Sequence, residues 1–358
     1  MNNNPDILTN VFGYDENEVE YERVTSNLRG YDLDYGIEVI FNYWRKKGFP
    51  HYQVREDEKH THMRKLQKFD VDTIFKDNQI IQTMHCLRLA WTYFPHWVNV
   101  RCGNAPRTPM ETFMDDEKLR AVIKKCWRWC STQFAGEEGI DKNKFRENRF
   151  RQSLKIYTGT QAVSNFRPTA AKFIYEKFGG DVIWDMSCGW GGRLLGFLAS
   201  SRKKYIGTEP SSKTFEGLKK IRKDFFYLTK TVELHKLGSE EFEPDKNSLD
   251  LCFTSPPYFD TEKYSDEDTQ SYKKFPTKEE WVNGFLRKTI ENCYRGLKDG
   301  KYMLINIANT PRYKFIEQET QRIAKELGFV QSDTLQLTLS SVMGAGYKYE
   351  PIFVFKKN

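Results

Sequence analysis

The sequence predicts an α/β fold for the C-terminal half of the chain, and three segments carry that prediction. Residues 181–185 form an apolar strand that ends in a carboxylate and leads into a glycine-rich turn and an apolar helix. A second apolar strand, 205–209, also ends in an acid, and a third, 250–254, runs into the polar loop Ser255-Pro-Pro-Tyr258. Strands that alternate with helices are typical of a parallel sheet covered by helices.

The N-terminal part of the chain has a different pattern. Apolar residues recur at helical spacing within 35–44, 80–91 and 115–131, which predicts a mainly helical region. Residues before about 30 are polar and acidic with few apolar anchors, as in an arm. We therefore expect a polar arm (1–30), a mainly helical region that is a candidate for substrate recognition (31–158) and an α/β domain (159–358).

Composition limits the class of protein. The 358 residues are 39% hydrophobic and 29% charged, which is typical of a globular rather than a disordered chain. The formal net charge of +7 is compatible with a polyanionic partner without requiring one. No apolar run is long enough to span a membrane, and the start Met1-Asn-Asn-Asn-Pro5 has no signal pattern. We expect a cytoplasmic protein with no membrane partner, and the sequence does not indicate its oligomeric state.

The seven cysteines are scattered and odd in number, which favours free thiols over disulfides. Cys126 and Cys130 lie four residues apart on a predicted helix, with His85, His96 and Cys102 nearby in sequence. Zinc-site spacing is absent, so these side chains are expected in the core, and no metal site is predicted.

The loop after the third strand is the candidate catalytic element. Pro256 and Pro257 fix two φ angles and remove two backbone donors, so the carbonyls of Ser255 and Pro256 are expected to face outward beside Tyr258. A planar molecule with an exocyclic amino group could stack on Tyr258 and donate hydrogen bonds to the serine hydroxyl and the Pro256 carbonyl. The alternative is an ordinary loop that ends a strand.

The strand, glycine turn and helix that begin at residue 181 are typical of a nucleotide-cofactor site. Glycines let the backbone approach a ligand closely, and the helix N-terminus completes the pocket. Asp185, Gly189 and Gly191 belong to this turn, and Glu209 follows Asp185 by 24 residues, where a pair of ribose hydroxyls would be bound. The alternative is an ordinary α/β turn in which Glu209 caps the next helix.

Residues 141–155 form a basic segment with six basic and two acidic side chains, among which Phe145 and Phe150 are interleaved. Such a segment can hold phosphates and stack on unpaired bases, although a solvated helix face has the same composition. Its position before the α/β domain favours nucleic acid. The predicted nucleic-acid contacts are Lys144, Arg146, Arg149, Arg151 and, after the catalytic loop, Phe259.

Together these motifs resemble the DNA amino-methyltransferase family, whose members use S-adenosylmethionine to methylate exocyclic nitrogens of cytosine or adenine. The resemblance covers residues 159–358. Four motifs follow one another in the family's order: Ser164-Asn-Phe-Arg-Pro168, Asp185-x-x-x-Gly189-x-Gly191, Glu209 and Ser255-Pro-Pro-Tyr258.

The resemblance implies a Rossmann-like fold with a seven-stranded, mostly parallel sheet that has one antiparallel strand. It implies S-adenosylmethionine as cofactor, with its amino-acid end near Arg167 and its adenine near Ser239. Serine at the first position of the catalytic motif resembles cytosine-N4 enzymes more than adenine-N6 enzymes. The implied cofactor residues are Arg167, Asp185, Ser187, Gly189, Gly191, Glu209 and Ser239, and the implied catalytic residues are Ser255, Pro256, Pro257 and Tyr258.

Two departures from the family keep other functions open. Ser187 stands where the family usually has phenylalanine, and no target-recognition region accompanies the motifs, so base-sequence readout would fall to the N-terminal 150 residues. The leading hypothesis is a DNA methyltransferase that flips its target base out of the duplex or acts on a single strand. The alternatives are an RNA or protein-amide N-methyltransferase and a nucleic-acid-binding protein with a vestigial site.

Overall fold

The structure, a computed structural model, describes residues 21, 23–25, 33–133, 146–342 and 346–358. The chain forms two compact units, which we call the helical unit (Met1–Glu58 with Pro95–Val163) and the α/β unit (Lys59–Phe94 with Ser164–Asn358). Each unit is discontinuous in sequence, and residues 59–94 join the α/β unit rather than the helical region to which the sequence assigned them. Lys144 and most of the predicted arm lie outside the described residues.

The helices of both units begin and end as follows. They are α1 Leu33–Lys47, α2 Glu56–Lys68, α3 Leu87–Thr92, α4 Pro109–Met114, α5 Asp116–Gln133, α6 Glu147–Ile156, α7 Pro168–Phe178, α8 Gly192–Ala199, α9 Ser212–Asp224, α10 Ser271–Lys274, α11 Lys278–Trp281, α12 Lys288–Gly296 and α13 Ile316–Glu326. A π-helical turn, Val282–Arg287, joins α11 to α12, and short 3-10 turns cover Val71–Ile74, Pro95–Asn99 and Phe226–Leu228. Among the described residues, no helix is both long and apolar enough to cross a membrane.

The strands are shorter at the start of the chain than at its end. They are β1 Phe75–Lys76, β2 Gln79–Ile80, β3 Arg101–Cys102, β4 Val182–Asp185, β5 Lys204–Thr208, β6 Thr231–His235, β7 Leu249–Thr254, β8 Glu262–Lys263, β9 Leu297–Asn306, β10 Phe329–Val342 and β11 Gly346–Lys357.

The helical unit is built on an apolar cluster to which α1, α4, α5 and α6 contribute. Its members include Ile40 and Trp44 from α1, Ile123 from α5 and Phe150 from α6. The predicted helices over 35–44 and 115–131 are therefore present as α1 and α5.

The α/β unit contains one large sheet, with strand order β1-β2-β10-β11-β9-β7-β4-β5-β6 among the described residues. The strands from β9 to β6 in this order are parallel to one another, and β11 is antiparallel to both β9 and β10. These seven strands form the predicted mostly parallel sheet with its antiparallel member. The sheet has nine strands rather than seven because the hairpin β1–β2 adds to the edge of β10.

The hairpin also corrects the prediction of a helix over 80–91. Gln79 and Ile80 form β2, which pairs in parallel with Gln336 and Leu337 of β10, and α3 begins only at Leu87. The apolar spacing of this stretch is compatible with a helix and also with a short strand. The segment forms a strand because it pairs with β10, which lies about 250 residues away in the chain.

The centre of the sheet positions the candidate site. Strand β4 lies between β5 and β7, and β7 is buried along its whole length. Because parallel strands point the same way, the residues that follow β4, β5 and β7 meet at one edge of the sheet. Asp185, Glu209 and Ser255 are brought to this edge, which we call the carboxyl edge.

Candidate functional site

The turn between β4 and α8, which we call the cofactor loop, requires its glycines. Gly189 and Gly191 have φ of +55° and +73°, a region in which other residues are strained. At Gly192, a Cβ would overlap the carbonyl oxygen of Phe166, so this glycine allows the segment before α7 to pack on the start of α8. A Cβ at Gly189, in contrast, would have no heavy atom nearer than 3.8 Å, so the protein leaves room beside this buried glycine.

Asp185 organises this edge of the sheet from within the protein. Its fully buried carboxylate accepts hydrogen bonds from Arg193 Nε at 2.9 and 3.1 Å and from the Tyr205 hydroxyl at 2.6 Å. The Thr254 hydroxyl, at the end of β7, donates to it at 3.3 Å. The carboxylate thus connects β4, α8, β5 and β7 through hydrogen bonds. It supports the cofactor loop from within and is not exposed to a ligand as an unpaired anion.

Glu209 lies at the end of β5 and is only 4% exposed. One carboxylate oxygen accepts a hydrogen bond from the backbone nitrogen of Gly189 at 2.9 Å, and the other accepts from that of Ser211 at 3.0 Å. Burial raises the pKa of Glu209 to about 7, although these two backbone donors act in the opposite direction. Each oxygen keeps a lone pair that could accept a hydrogen bond from a hydroxyl group.

The segment before α7 lies against the cofactor loop. The buried Asn165 side chain donates to the carbonyl oxygen of Trp190 at 2.9 Å, and Arg167 Nη1 donates to the Asn165 carbonyl at 3.1 Å. The half-buried Arg167 therefore stands next to the loop, as the sequence motif predicted. Sequence reasoning did not single out Asn165, whose partner is a backbone carbonyl.

Ser187 and Ser239 are less direct candidates than the sequence predicted. Ser187 is half-buried, and its carbonyl oxygen accepts a hydrogen bond from Arg193. Ser239 is buried, with its hydroxyl 2.7 Å from that of Thr289 on α12. Next to it, Glu240 pairs with Lys274 through one oxygen, while its other oxygen is buried and has no hydrogen-bond partner in the described structure. Glu240 is thus the unsatisfied acceptor at this end of the site.

Tyr258 of the catalytic loop is held in place through its hydroxyl group. That hydroxyl donates to the carbonyl oxygen of Asn306 at 3.2 Å, at the end of β9, and lies 3.4 Å from a carboxylate oxygen of Glu350 on β11. Burial raises the pKa of Tyr258 and also that of Glu350. Pro256 is buried and Ser255 is half-buried, so the serine is the more accessible of these two acceptor residues.

Phe259 belongs to the core, which corrects its predicted role as a nucleic-acid contact. Its side chain is 8% exposed and packs against the rings of Trp281 and Tyr313. Its φ of +57° is unusual for a bulky residue. Phe259 is a member of the apolar cluster against which the partly buried Tyr258 also packs.

The segment that follows, residues 260–276, is anchored at both ends of the site. Asp260 pairs with Arg312, with an Nε to Oδ1 distance of 2.8 Å, and Lys274 pairs with Glu240. In between, the carboxylate of Glu267 accepts hydrogen bonds from the backbone nitrogen of Ser212 at 3.0 and 3.2 Å. The segment therefore connects the catalytic loop with the start of α9, beside Glu209.

In the helical unit, Arg151 is a structural residue, which corrects its predicted role as a phosphate contact. Its buried guanidinium pairs with Glu147 and donates from Nε to the carbonyl oxygen of Pro50 at 2.6 Å. Arg149 lies over the Trp129 ring at 4.6 Å, and Arg146 caps the start of α6; both are half-buried. Arg146 and Arg149 thus stay as the predicted contacts within the described part of this segment.

The residues at the carboxyl edge fit S-adenosylmethionine. Glu209 offers a buried carboxylate for a ribose diol, the positive-φ Gly189 leaves room for a ligand beside the backbone, and Glu240 offers an unsatisfied acceptor for an exocyclic amine. Within the described ranges, no group of three or more His, Cys, Asp and Glu side chains is arranged to hold a metal ion.

Comparison with solved structures finds methyltransferases of low similarity. Geranyl diphosphate methyltransferase in complex with S-adenosylmethionine has 15% identity over 63% of this chain and 95% of its own, with a TM-score of 0.40. An S-adenosylmethionine-dependent methyltransferase from Methanosarcina mazei has 13% identity over 51% and 94%, with a TM-score of 0.36. An O-methyltransferase from Thermotoga maritima has 17% identity over 55% and 68%, with a TM-score of 0.37. Because these TM-scores lie below 0.5, the substrates of these enzymes have no bearing on this chain.

Comparison of sequences gives the more specific result. No curated protein matches the chain. Residues 249–358, from β7 to the end of the chain, match the model of a DNA methylase family of the N6/N4 type. This segment contains the Ser255-Pro-Pro-Tyr258 loop, Asn306 and Glu350. The match confirms over these residues the resemblance that the motifs predicted.

Proposed function

We propose that this protein methylates the exocyclic amino group of a DNA base, with cytosine N4 as the preferred target and adenine N6 as the variant. The single observation that carries the proposal is the position of the Ser255-Pro-Pro-Tyr258 loop at the end of β7. Through Thr254, this loop is tied to Asp185 under the cofactor loop. The acceptor cluster and the cofactor loop are therefore neighbours on one rigid edge.

The chemistry that this loop could perform follows from the amino group itself. The lone pair of a cytosine or adenine amino nitrogen is delocalised into the ring, which makes the nitrogen a poor nucleophile. Hydrogen bonds from the amino group to Ser255 Oγ and the Pro256 carbonyl favour a tetrahedral nitrogen, whose lone pair is available. When bound, S-adenosylmethionine would supply an electrophilic methyl group. The protein contributes position and electrostatics.

Tyr258 would provide the stacking surface for the base. Its ring is held from the far end, since its hydroxyl contacts Asn306 and Glu350, and the base would stack on one face of the ring. A base within a duplex cannot reach such a site, so the target would be flipped out or taken from a single strand. In the helical unit, Arg146 and Arg149 are the proposed contacts to the DNA backbone.

The test is an assay that identifies the methylated nucleoside. The full-length protein is incubated with S-adenosylmethionine carrying a labelled methyl group and with unmethylated DNA, RNA or a protein extract, and the digests are analysed by mass spectrometry. We expect label in N4-methylcytosine from DNA. The Ser255→Ala variant should transfer methyl groups about 10-fold to 1000-fold more slowly, the range for one transition-state hydrogen bond, with nearly unchanged cofactor affinity.

The outcomes separate the alternatives. Label in N6-methyladenine would change the base but keep the mechanism. Label only in RNA, or only in a protein amide, would replace DNA as the substrate, and no label in any sample would indicate a vestigial site. Loss of cofactor binding in Ser255→Ala would place this serine in the cofactor pocket instead.

A further inference from the structure

A basic groove lies in the α/β unit outside the site described above. It has a volume of about 630 Å³ and runs between the last turns of α9 and the start of β6. The floor is apolar and includes Leu198 and Val232. We define the basic groove by its cations and its exposed aromatic residue: Lys219, Lys220, Arg222, Lys223, Lys230 and Phe226.

Several of these cations are available to a ligand. Lys220 and Lys223 are exposed and take part in no ion pair or side-chain hydrogen bond within the described part of the chain. Lys219 pairs with Glu216 at 2.8 Å on the surface, where such pairs are weak. The adjacent Asp224 binds Lys59 and the Tyr93 hydroxyl, each at 2.7 Å, and it compensates only part of the charge of Lys223.

The groove is open rather than built for one small ligand. Among its cations, the more buried Lys230 is already bound by the carbonyl oxygens of Ser200 and Arg202. The other cations lie on long exposed side chains, and Phe226 is 78% exposed at the rim. A site for a free nucleotide needs fixed polar groups in its walls, whereas a charged backbone needs repeated mobile cations.

The position of the groove separates it from the methyl-transfer site. Helix α9 begins beside Glu209 at the carboxyl edge and ends before β6, so its last turn lies at the amino ends of the strands. The 13 residues of α9 cover about 20 Å. Exposed lysines occur along this length, from Lys213 to Lys223. Lys213 lies near the carboxyl edge, and Lys219, Lys220 and Lys223 lie toward the other end of α9, with the exposed Glu216 between the two groups.

We propose that the basic groove binds the phosphate backbone of DNA that flanks the target base, along α9 and away from the methyl-transfer site. The proposal rests on the proposed function, since it takes DNA as the substrate. Phosphates repeat along each strand every 3.4 Å or so of the helix axis, and Lys219, Lys220 and Lys223 form a cluster of cations in the last two turns of α9 that could contact more than one phosphate. Phe226 provides a stacking surface where the strand is unpaired.

The test compares two pairs of lysines that carry the same charge. In the full-length protein, Lys220→Ala with Lys223→Ala is compared with Lys246→Ala with Lys325→Ala, two exposed lysines outside the groove. Binding of a labelled 30-base-pair DNA is measured by fluorescence anisotropy over a range of salt concentrations. Each lost phosphate contact lowers the slope of log affinity against log salt by about 0.9, so the groove variant should bind on the order of 10-fold to 100-fold more weakly at 0.1 M salt. The control pair should bind like the wild type.

Kinetics distinguish the groove from the catalytic machinery. At saturating DNA, the groove variant should retain the wild-type kcat while its KM for long DNA rises. If the wild type binds and methylates DNA and both variants bind it equally well, the groove proposal is wrong and the proposed function stands. If the wild type binds no DNA, the groove proposal and the proposed function are both wrong. If the wild type binds RNA and the groove variant alone does not, the groove binds a different nucleic acid.

Discussion

Glu209 is the residue whose ionisation should control cofactor binding. Burial raises its pKa to about 7, so near pH 6 most molecules carry a neutral carboxyl group and near pH 8 most carry a carboxylate. A ribose diol donates two hydrogen bonds, which the carboxylate accepts better than the acid. We therefore expect the affinity for S-adenosylmethionine to rise, by roughly tenfold at most, from pH 6 to pH 8.

Isothermal titration calorimetry across this pH range tests the prediction. The matched control is Glu209→Gln, which keeps the shape of the side chain and cannot ionise. It should bind more weakly than the wild type above pH 7 and with a flat pH dependence. A wild-type affinity that stays constant from pH 6 to pH 8 would contradict the assignment of Glu209 to the ribose.

Among individual residues, sequence reasoning located those that lie within motifs. It missed those whose role depends on a partner that is distant in the chain. The ends of predicted strands located Glu209 and Ser255, because strand direction places such residues at one edge. Glu350 was not predicted, since it stands 92 residues from the Tyr258 that it contacts. Arg151 and Phe259 were misassigned because residue type alone does not distinguish an exposed side chain from one buried against a partner.

Among the elements, β4, α8 and β7 depend on the pair of Asp185 and Arg193. Both side chains are buried, and removal of one partner would leave an uncompensated charge. We expect Arg193→Met to lower the free energy of unfolding of the α/β unit by about 3–5 kcal/mol and to abolish cofactor binding. Adding Asp185→Asn to this variant should recover part of the stability, and denaturation of the two single variants and the double variant measures this coupling. Additive losses would show that the two charges act independently.

The arginines in and next to helix α6 should have two different roles, DNA binding and stabilisation of the fold. Arg146→Ala with Arg149→Ala should weaken DNA binding and lower its salt slope by up to about 1.8, because two predicted phosphate contacts are lost. Arg151→Ala should instead destabilise the helical unit, since Glu147 would remain buried without its partner. Salt titrations and thermal melts of these variants separate the two effects, and an unchanged slope in the first variant would leave α6 with a structural role alone.

The elements that sequence could predict are those with a local signal. Helix α11 begins with a capping box of the Thr-x-x-Glu type, in which Thr277 and Glu280 satisfy each other's backbone nitrogens. In β10, Leu335, Leu337 and Leu339 alternate with polar residues, and β11 contains the apolar run 352–355, both of which are local signals for a strand. Strands β1 and β2 have two residues each, too few for any periodicity, and they are strands only because β10 is there to pair with β2.

At the scale of the whole molecule, the α/β unit depends on a segment far from its motifs. Ile80 of β2 is fully buried, and the adjacent Ile81 is 47% exposed. Ile80→Ala should lower the free energy of unfolding by about 2–4 kcal/mol, as for other buried isoleucines, and Ile81→Ala should change it far less. Urea denaturation of the full-length protein, followed by tryptophan emission, compares the two. Equal effects would mean that the hairpin contributes little to the sheet.

The pairing of β2 with β10 has a consequence for how this protein is made. Asn78 and Asp333, which hold the two strands together, are separated by 255 residues, so a ribosome must add that length before the edge of the sheet can close. During synthesis the hairpin β1–β2 is made long before its pairing partner β10. The second segment of the helical unit, Pro95–Val163, is synthesised in between. Pairing over such a sequence separation is slow, and a nascent chain with an incomplete sheet exposes apolar strands to chaperones and to other chains.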